Sequence, residues 1–117
     1  MAVPATIDKE PLEALAAEFS GVLLRPGDDG YEEARTVYNG LIDKRPALIA
    51  RCLNTADVVD AVNLGREQGL EISVRGGGHS VAGKALTDGG LMIDLSLMKG
   101  IHVDPVRRTV RAQGGVI

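Results

Sequence analysis

Two short apolar runs on either side of a helical pattern restrict the possible folds more than any other feature of the sequence. The runs, near residues 47–51 and 71–74, have the length and apolar content of buried strands. Residues 55–68 between them have helical periodicity, with Asn54 or Thr55 as the N-cap. Parallel strands need a crossover of about this length, and such crossovers are right-handed. The sequence therefore predicts a parallel βαβ unit.

The apolar spacing of this helix predicts which of its faces points to the core. The predicted inner stripe consists of Val58, Ala61, Val62 and Gly65. A buried unpaired charge costs more than the roughly 2–5 kcal/mol lost in a large-to-small core substitution. Val62→Asp is therefore expected to unfold the chain. Cys52, at the end of the first strand, is interpreted as a buried structural thiol.

Further elements flank the βαβ unit. Residues 8–20 have an apolar helical face, and residues 22–24 can form a short strand. A third strand is predicted near residues 91–95, and two more, 101–104 and 109–112, are joined by a turn. The fold class is therefore predicted to be α/β (α+β), with a small parallel sheet flanked by helices.

Glycine and positive charge are concentrated in the same half of the chain. Of 15 glycines, 9 lie in the last 42 residues. Residues 1–60 carry 11 acidic and 6 basic side chains, whereas residues 61–117 carry 5 acidic and 7 basic ones. This combination suits a small anionic ligand held by backbone amides. The bias is too weak to indicate nucleic-acid binding, and an aromatic content of 3% offers no platform for stacking bases.

Simple features of the sequence disfavour several other classes of protein. No run of 18 apolar residues is present, so no membrane span is expected. A single cysteine excludes an internal disulfide and a cysteine-rich zinc site. Residues 1–5 (MAVPA) lack the charge and the apolar run of a secretory signal. A cytoplasmic protein is the resulting expectation.

The loop that follows the second strand carries the chemistry of this sequence. Residues 75–80 read RGGGHS, and three successive glycines place no side chain between the backbone and a ligand. Their amides can form a concave nest of donors, which favours phosphate oxygens. In open α/β sheets, ligands bind beyond the carboxyl ends of the strands, which is where this loop falls. The sequence therefore predicts a phosphate-binding loop.

Two common phosphate motifs match this loop only in part. The dinucleotide fingerprint GxGxxG fails because Val81 stands where the third glycine belongs. Residues 78–85 (GHSVAGKA) fit a P-loop except at Ala85, which lacks the hydroxyl that holds Mg²⁺. A degenerate P-loop-like phosphate-binding module stays an alternative, and Mg²⁺-dependent ATP binding would favour it.

With its neighbours, this loop resembles a known flavoprotein family. The segment RGGGHSVAG at 75–83 is similar to the flavin-attachment loop of FAD-linked oxidases of the berberine bridge enzyme type, within the vanillyl-alcohol oxidase (PCMH-type) group. Other motifs in the family's order are YNG at 38–40, RPA at 45–47, RC at 51–52, ADV at 56–58, GL at 69–70, IDLS at 93–96, VDP at 103–105 and GG at 114–115. The resemblance covers residues 28–117 and the first part of the FAD-binding domain.

The resemblance implies FAD as the cofactor and His79 as its covalent attachment point, at the 8α-methyl carbon of the isoalloxazine. The residues implied to bind the cofactor are Arg75, Gly76, Gly77, Gly78, His79, Ser80, Gly83, Gly114 and Gly115. No catalytic residue and no metal ligand are assigned, because the family's substrate domain and its base have no counterpart here. Asp94 is expected to orient Ser96 or to cap the next turn.

The resemblance also implies a function and a division of the chain. Residues 1–27 are interpreted as a helix and lead-in, and residues 28–117 as an FAD-binding segment that stops before the domain is complete. The implied protein is an oxidase that transfers a hydride from a substrate carbon to a histidyl-linked flavin and then to O₂. A small-molecule substrate and O₂ would act through a downstream region, so the isolated chain is expected to be inactive. The alternative is a non-catalytic fragment. The oligomeric state stays open.

Overall fold

The computed structural model describes residues 7–36, 45–76 and 89–116. These residues form three helices and six strands in two sheets. In chain order the elements are α1 (Lys9–Glu18), β1 (Val22–Leu24), α2 (Tyr31–Arg35), β2 (Leu48–Arg51), α3 (Thr55–Glu67), β3 (Ile72–Arg75), β4 (Leu91–Asp94), β5 (Ile101–Asp104) and β6 (Thr109–Ala112). The α/β class and the positions of the main strands and helices are confirmed.

The four-stranded sheet has the order β1-β2-β4-β3. Strand β4 lies between the two strands of the βαβ unit and runs parallel to both. Strand β1 pairs antiparallel with β2 at one edge. All four residues of β4 are buried, which agrees with its central place. The crossover through α3 therefore leaves room for one strand, a feature that the order of elements along the chain does not predict.

Helices α1 and α3 cover one face of this sheet, where the larger core cluster lies. Leu12 and Leu15 from α1 pack with Leu64 from α3 and with alternate residues of the central strands. Gly65 allows the close approach of α3 to the sheet, because a Cβ there would meet Ile72 Cδ1 at 2.7 Å.

The predicted inner stripe of α3 is partly wrong. Ala61 and Gly65 are buried as expected, but Val58 and Val62 are only partly buried against the core. Leu64, outside the predicted stripe, is only 4% exposed and is the larger inward side chain. The stripe is rotated because α3 packs through Ala61 and Leu64 towards α1 and β4. Because Val62 still packs against the core, the effect of Val62→Asp stays a prediction, and a charge at the more deeply buried Leu64 is expected to cost more.

Helix α2 covers the opposite face of the sheet. Tyr31 is fully buried with Leu24, Ala34, Ile49 and Met92 in a second core cluster. Its hydroxyl donates to the Pro46 carbonyl oxygen at 2.6 Å. The five-residue helix is thus held by one large side chain with a satisfied polar end.

Two polar side chains fix the start of α3. Asn54 is the N-cap, and its side chain accepts a hydrogen bond from the Asp57 amide at 2.9 Å. Asp57 is 1% exposed, and its carboxylate accepts from the amides of Ser20, Gly21 and Leu53 at 2.9–3.0 Å. This buried carboxylate therefore joins the turn between α1 and β1 to the beginning of α3.

Strands β5 and β6 form a separate antiparallel hairpin with one apolar face. Ile101 pairs with Ala112 and Val103 with Val110, so these four side chains share a face. His102, Asp104, Thr109 and Arg111 occupy the other face.

Among the helices of residues 7–36, 45–76 and 89–116, none has the length and hydropathy needed to cross a membrane.

Candidate functional site

Three charged residues form a row across the carboxyl ends of the parallel strands. Asp94, the last residue of β4, is in register with Arg51 of β2 on one side and with Arg75 of β3 on the other. In-register residues of parallel strands point to the same face, here the face covered by α2. The row lies at the edge where ligands bind in open α/β sheets. The glycine loop leaves the sheet beside it, after Arg75.

Asp94 is the centre of a buried polar network. Its side chain is 1% exposed. Its Oδ1 accepts a hydrogen bond from the Ser96 amide at 2.8 Å, and its Oδ2 lies 3.3 Å from Arg51 Nε. The Arg51 contact has the distance of an ion pair but not the geometry of a hydrogen bond. Arg51 Nη2 also donates to Ser96 Oγ at 3.3 Å. Of the two expectations for Asp94, that it orients Ser96 or caps the next turn, the cap is confirmed, since it accepts from the Ser96 backbone amide.

Arg75 lies at the predicted site, but its guanidinium is engaged with α2. One Nη atom donates to the carbonyl oxygen of Ala34, near the carboxyl end of that helix, where a cation is favoured. Its Nε is buried and has no hydrogen-bond partner in the described part of the chain. Arg75 therefore attaches the entry of the glycine loop to α2, and its contact with a cofactor stays a prediction.

The structure brings together glycines that are nearly forty residues apart in the sequence. A Cβ at Gly76 would meet the Gly114 carbonyl oxygen at 2.5 Å. A Cβ at Gly114 would meet Leu95 Cδ1 at 2.7 Å, and a Cβ at Gly115 would overlap the Leu95 carbonyl oxygen. Three predicted site glycines thus meet near the turn that follows β4, and a side chain at Gly76 or Gly115 would displace backbone, whereas one at Gly114 would displace the Leu95 side chain.

The other predicted site residues lie outside the described residues. They are Gly77, Gly78, His79, Ser80 and Gly83. The described end of the loop, Gly76, leaves the sheet beside Asp94. The cofactor-binding roles of the five residues outside the described ranges stay predictions.

The described residues fit a polar, anionic ligand group. The row has two guanidinium groups to one carboxylate, so it carries excess positive charge. Arg51 Nε and Arg75 Nε are buried donors that make no hydrogen bond to the described residues. The three glycines bring the entry of the glycine loop and residues 114–115 into close contact beside this row. A pyrophosphate group suits such a site, because its oxygens accept hydrogen bonds from guanidinium and amide donors.

Sequence reasoning placed Arg51 in a family motif but did not assign it to the site. A signal was present, since an arginine that ends an apolar strand lies at the carboxyl edge of a parallel sheet.

Cys52, the next residue, is fully buried as predicted. Burial, with smaller contributions from Asp57 and Asp94, raises the pKa of its thiol to about 12. This thiol therefore contributes to the core.

Comparison with known families and proteins gives a consistent assignment. A family described as FAD binding domain matches residues 46–117. The chain is 42% identical over 104 residues to (R)-6-hydroxynicotine oxidase of Paenarthrobacter nicotinovorans, an alignment that covers 89% of this chain and 23% of that protein. The chain thus spans less than a quarter of the length of this relative.

Two solved structures share the fold. Glucooligosaccharide oxidase from Acremonium strictum, which is described with a 6-S-cysteinyl, 8α-N1-histidyl FAD, has a TM-score of 0.81 and 32% identity over 91% of this chain and 22% of its own. A berberine-bridge-enzyme-like protein of Physcomitrella patens has a TM-score of 0.76 and 29% identity over 85% of this chain and 22% of its own. The family predicted from the glycine loop is confirmed. The chain belongs to the FAD-binding domain family of the FAD-linked oxidoreductases, whose cofactor is FAD.

Proposed function

We propose that this chain supplies the pyrophosphate-binding part of an FAD-dependent oxidase. The observation that carries the proposal is the meeting of Gly76, Gly114 and Gly115 beside the row of Arg51, Asp94 and Arg75. A glycine loop that begins here, next to excess positive charge, is suited to bind two linked phosphates. When bound, FAD accepts a hydride from a substrate carbon and passes the electrons to O₂.

Each part of the site has a distinct role in the proposal. The amides of residues 76–78 donate to phosphate oxygens, and the arginines of the row compensate the negative charge. Gly114 and Gly115 allow the chain to pack closely against Gly76 and Leu95 at the entry of the loop. His79 is the proposed point of covalent attachment, which is supported by the histidyl-linked FAD of the glucooligosaccharide oxidase. The substrate, a small molecule, is bound by parts of the protein that this chain does not contain.

The attachment is tested in a full-length protein that carries this chain. After denaturation and proteolysis, the flavin is expected on the peptide that contains His79. His79→Ala should release the flavin, whereas the exposed His102, changed to Ala as a matched control, should leave it attached. A flavin that leaves the wild-type protein on denaturation would contradict covalent attachment but not FAD binding.

The phosphate-binding role is tested separately at Gly77. Gly77→Val should abolish binding of FAD and ADP in the same protein while the melting temperature stays near that of wild type, because a β-branched side chain occupies the space of the phosphate oxygens. Unchanged affinity would remove the loop from the site. Binding of ATP that needs Mg²⁺ would favour the P-loop alternative.

The isolated 117-residue chain is expected to behave differently from the longer protein. It carries the phosphate-binding loop but few groups that could hold the isoalloxazine against His79, and attachment depends on that orientation. We expect weak binding of FAD or none, no covalent adduct and no oxidase turnover. A flavin-sized increase in intact mass after incubation with FAD would contradict this expectation.

A further inference from the structure

We propose that Asp94 is a positioning residue of the cofactor site, acting through the turn at residues 95–98 to hold residues 114–115 against Gly76. The proposal rests on the proposed function for its consequence in cofactor binding, and on contacts of the described residues for the positioning itself.

The turn after β4 is held at its start by the Asp94 side chain. The Asp94 carboxylate accepts from the Ser96 amide at 2.8 Å, and the Met98 amide then donates to the Leu95 carbonyl at 2.8 Å. Arg51 reaches two members of this arrangement, because it lies 3.3 Å from both the Asp94 carboxylate and the Ser96 hydroxyl. The side chains of β2 and β4 therefore determine how the chain leaves the sheet.

The same turn supports the second glycine segment. The Gly115 amide donates to the Met98 carbonyl at 2.9 Å, and the Leu95 carbonyl lies where a Cβ of Gly115 would stand. Gly114 in turn lies against Gly76. A continuous series of contacts thus leads from Asp94 through residues 95–98 to Gly114 and Gly115, and from there to Gly76.

Burial makes this position sensitive to the charge of Asp94. The Asp94 carboxylate is 1% exposed, so its charge is stabilised by its partners and hardly by water. Removal of one member of such an ion pair leaves the charge of the other member uncompensated. Asp94→Asn keeps an oxygen that can accept from the Ser96 amide but removes the charge that holds Arg51. The turn should then become mobile while strand β4, which is paired on both sides, persists.

Asp57 provides a matched control on the other side of the sheet. It is also 1% exposed and also accepts from backbone amides, but those belong to Ser20, Gly21 and Leu53. Asp57→Asn therefore removes a buried carboxylate of equal burial without touching the turn. A role in stability alone predicts that both variants affect the cofactor site only through global unfolding.

Amide hydrogen exchange of the 117-residue chain is the first measurement. In Asp94→Asn, exchange at Met98 and Gly115 should accelerate about tenfold beyond the change in global stability, because the loss of a charged partner is worth about that factor. Asp57→Asn should instead accelerate Gly21 and Leu53. Arg51→Lys is the second variant, for the case in which Asp94→Asn does not fold. It keeps the positive charge at a side chain that is one-third exposed but removes the contact with the Ser96 hydroxyl. It should accelerate exchange at the same amides as Asp94→Asn, by a smaller factor. Acceleration of the same amides by both aspartate variants would overturn the proposal.

Titration with FAD and ADP in a full-length protein that carries the chain is the second measurement. We expect Asp94→Asn to weaken binding about tenfold and Asp57→Asn to leave it within about twofold. Equal losses in the two variants would overturn the role in positioning. If the wild-type protein bound neither ligand, the proposed function would fail. The exchange measurement would still decide whether Asp94 holds residues 114–115 against Gly76.

Discussion

At the scale of single residues, close backbone packing at Gly115 requires the absence of a side chain. We expect Gly115→Ala to lower the free energy of unfolding by at least about 1–3 kcal/mol, because the new Cβ would overlap the Leu95 carbonyl oxygen. Urea denaturation measures the change. Gly100→Ala is the control, since its Cβ would meet only the exposed Gln113 side chain, which can move at the cost of one hydrogen bond to the Gly100 amide. Equal losses in both variants would contradict the packing at Gly115.

The burial of Cys52 makes a second prediction at this scale. Because the pKa of its thiol is raised to about 12, the thiol stays protonated at pH 8 and is also inaccessible. Iodoacetamide should therefore label the native chain only as fast as the chain unfolds. A cysteine introduced at Val106, which is 91% exposed, should react at once in a Cys52→Ala background. Fast labelling of native Cys52 would contradict the burial.

At the scale of elements, the orientation of α3 is tested by a series of substitutions along it. Leu64→Ala should cost about 2–5 kcal/mol, because this side chain is 4% exposed in the core. Val62→Ala should cost less, since Val62 is only partly buried, and Val59→Ala should be nearly neutral because Val59 is 51% exposed. Thermal or urea unfolding gives the ranking. A loss at Val62 larger than that at Leu64 would restore the stripe predicted from spacing.

Helix α2 carries a pH-dependent ion cluster at its surface. Hydrogen bonds from Arg35 and Arg45 lower the pKa of Glu32 to about 2 from a usual value of 4.5. A lowered pKa stabilises the folded state above pH 4.5, and this contribution is lost as the pH falls towards 2. Glu32→Gln should therefore lower the melting temperature slightly at pH 7 and not at pH 2. Because Glu32 is exposed, 1 M salt should also reduce the difference. A difference that persists at pH 2 would contradict the assignment.

At the scale of the whole molecule, the hairpin of β5 and β6 exposes its apolar face. Ile101, Val103 and Val110 are each at least 60% exposed, and a two-stranded sheet is marginal without a covering layer. The isolated chain should therefore self-associate as its concentration rises. Val103→Thr combined with Val110→Thr should reduce association without loss of strand propensity. Arg111→Lys on the opposite face is the control, and light scattering during gel filtration is the measurement. Unchanged association of the double variant would exclude this face.

Much of the fold and of the site was predictable because its signals are local. The strands near 47–51, 71–74 and 91–95 were evident from short apolar runs, and α3 from its cap at Asn54 and its helical spacing. The ligand class followed from the glycines after β3, since a nest of amides depends on a few consecutive residues. Gly114 and Gly115 were identified only through the family resemblance, because nothing local shows what they approach.

The sequence by itself thus determined most of the strands and helices, and it predicts a phosphate-binding loop after β3. Only the tertiary structure decided that β4 lies between β2 and β3, that Tyr31 holds α2 on the sheet, and that Asp57 and Asp94 are buried. Local preferences arise from neighbours within one turn or one strand. Strand order and the burial of a carboxylate instead depend on amides and side chains that come from distant parts of the chain. The candidate site requires both, since Gly76 directly follows β3 in the sequence, whereas Gly114 is brought against it only by the tertiary structure.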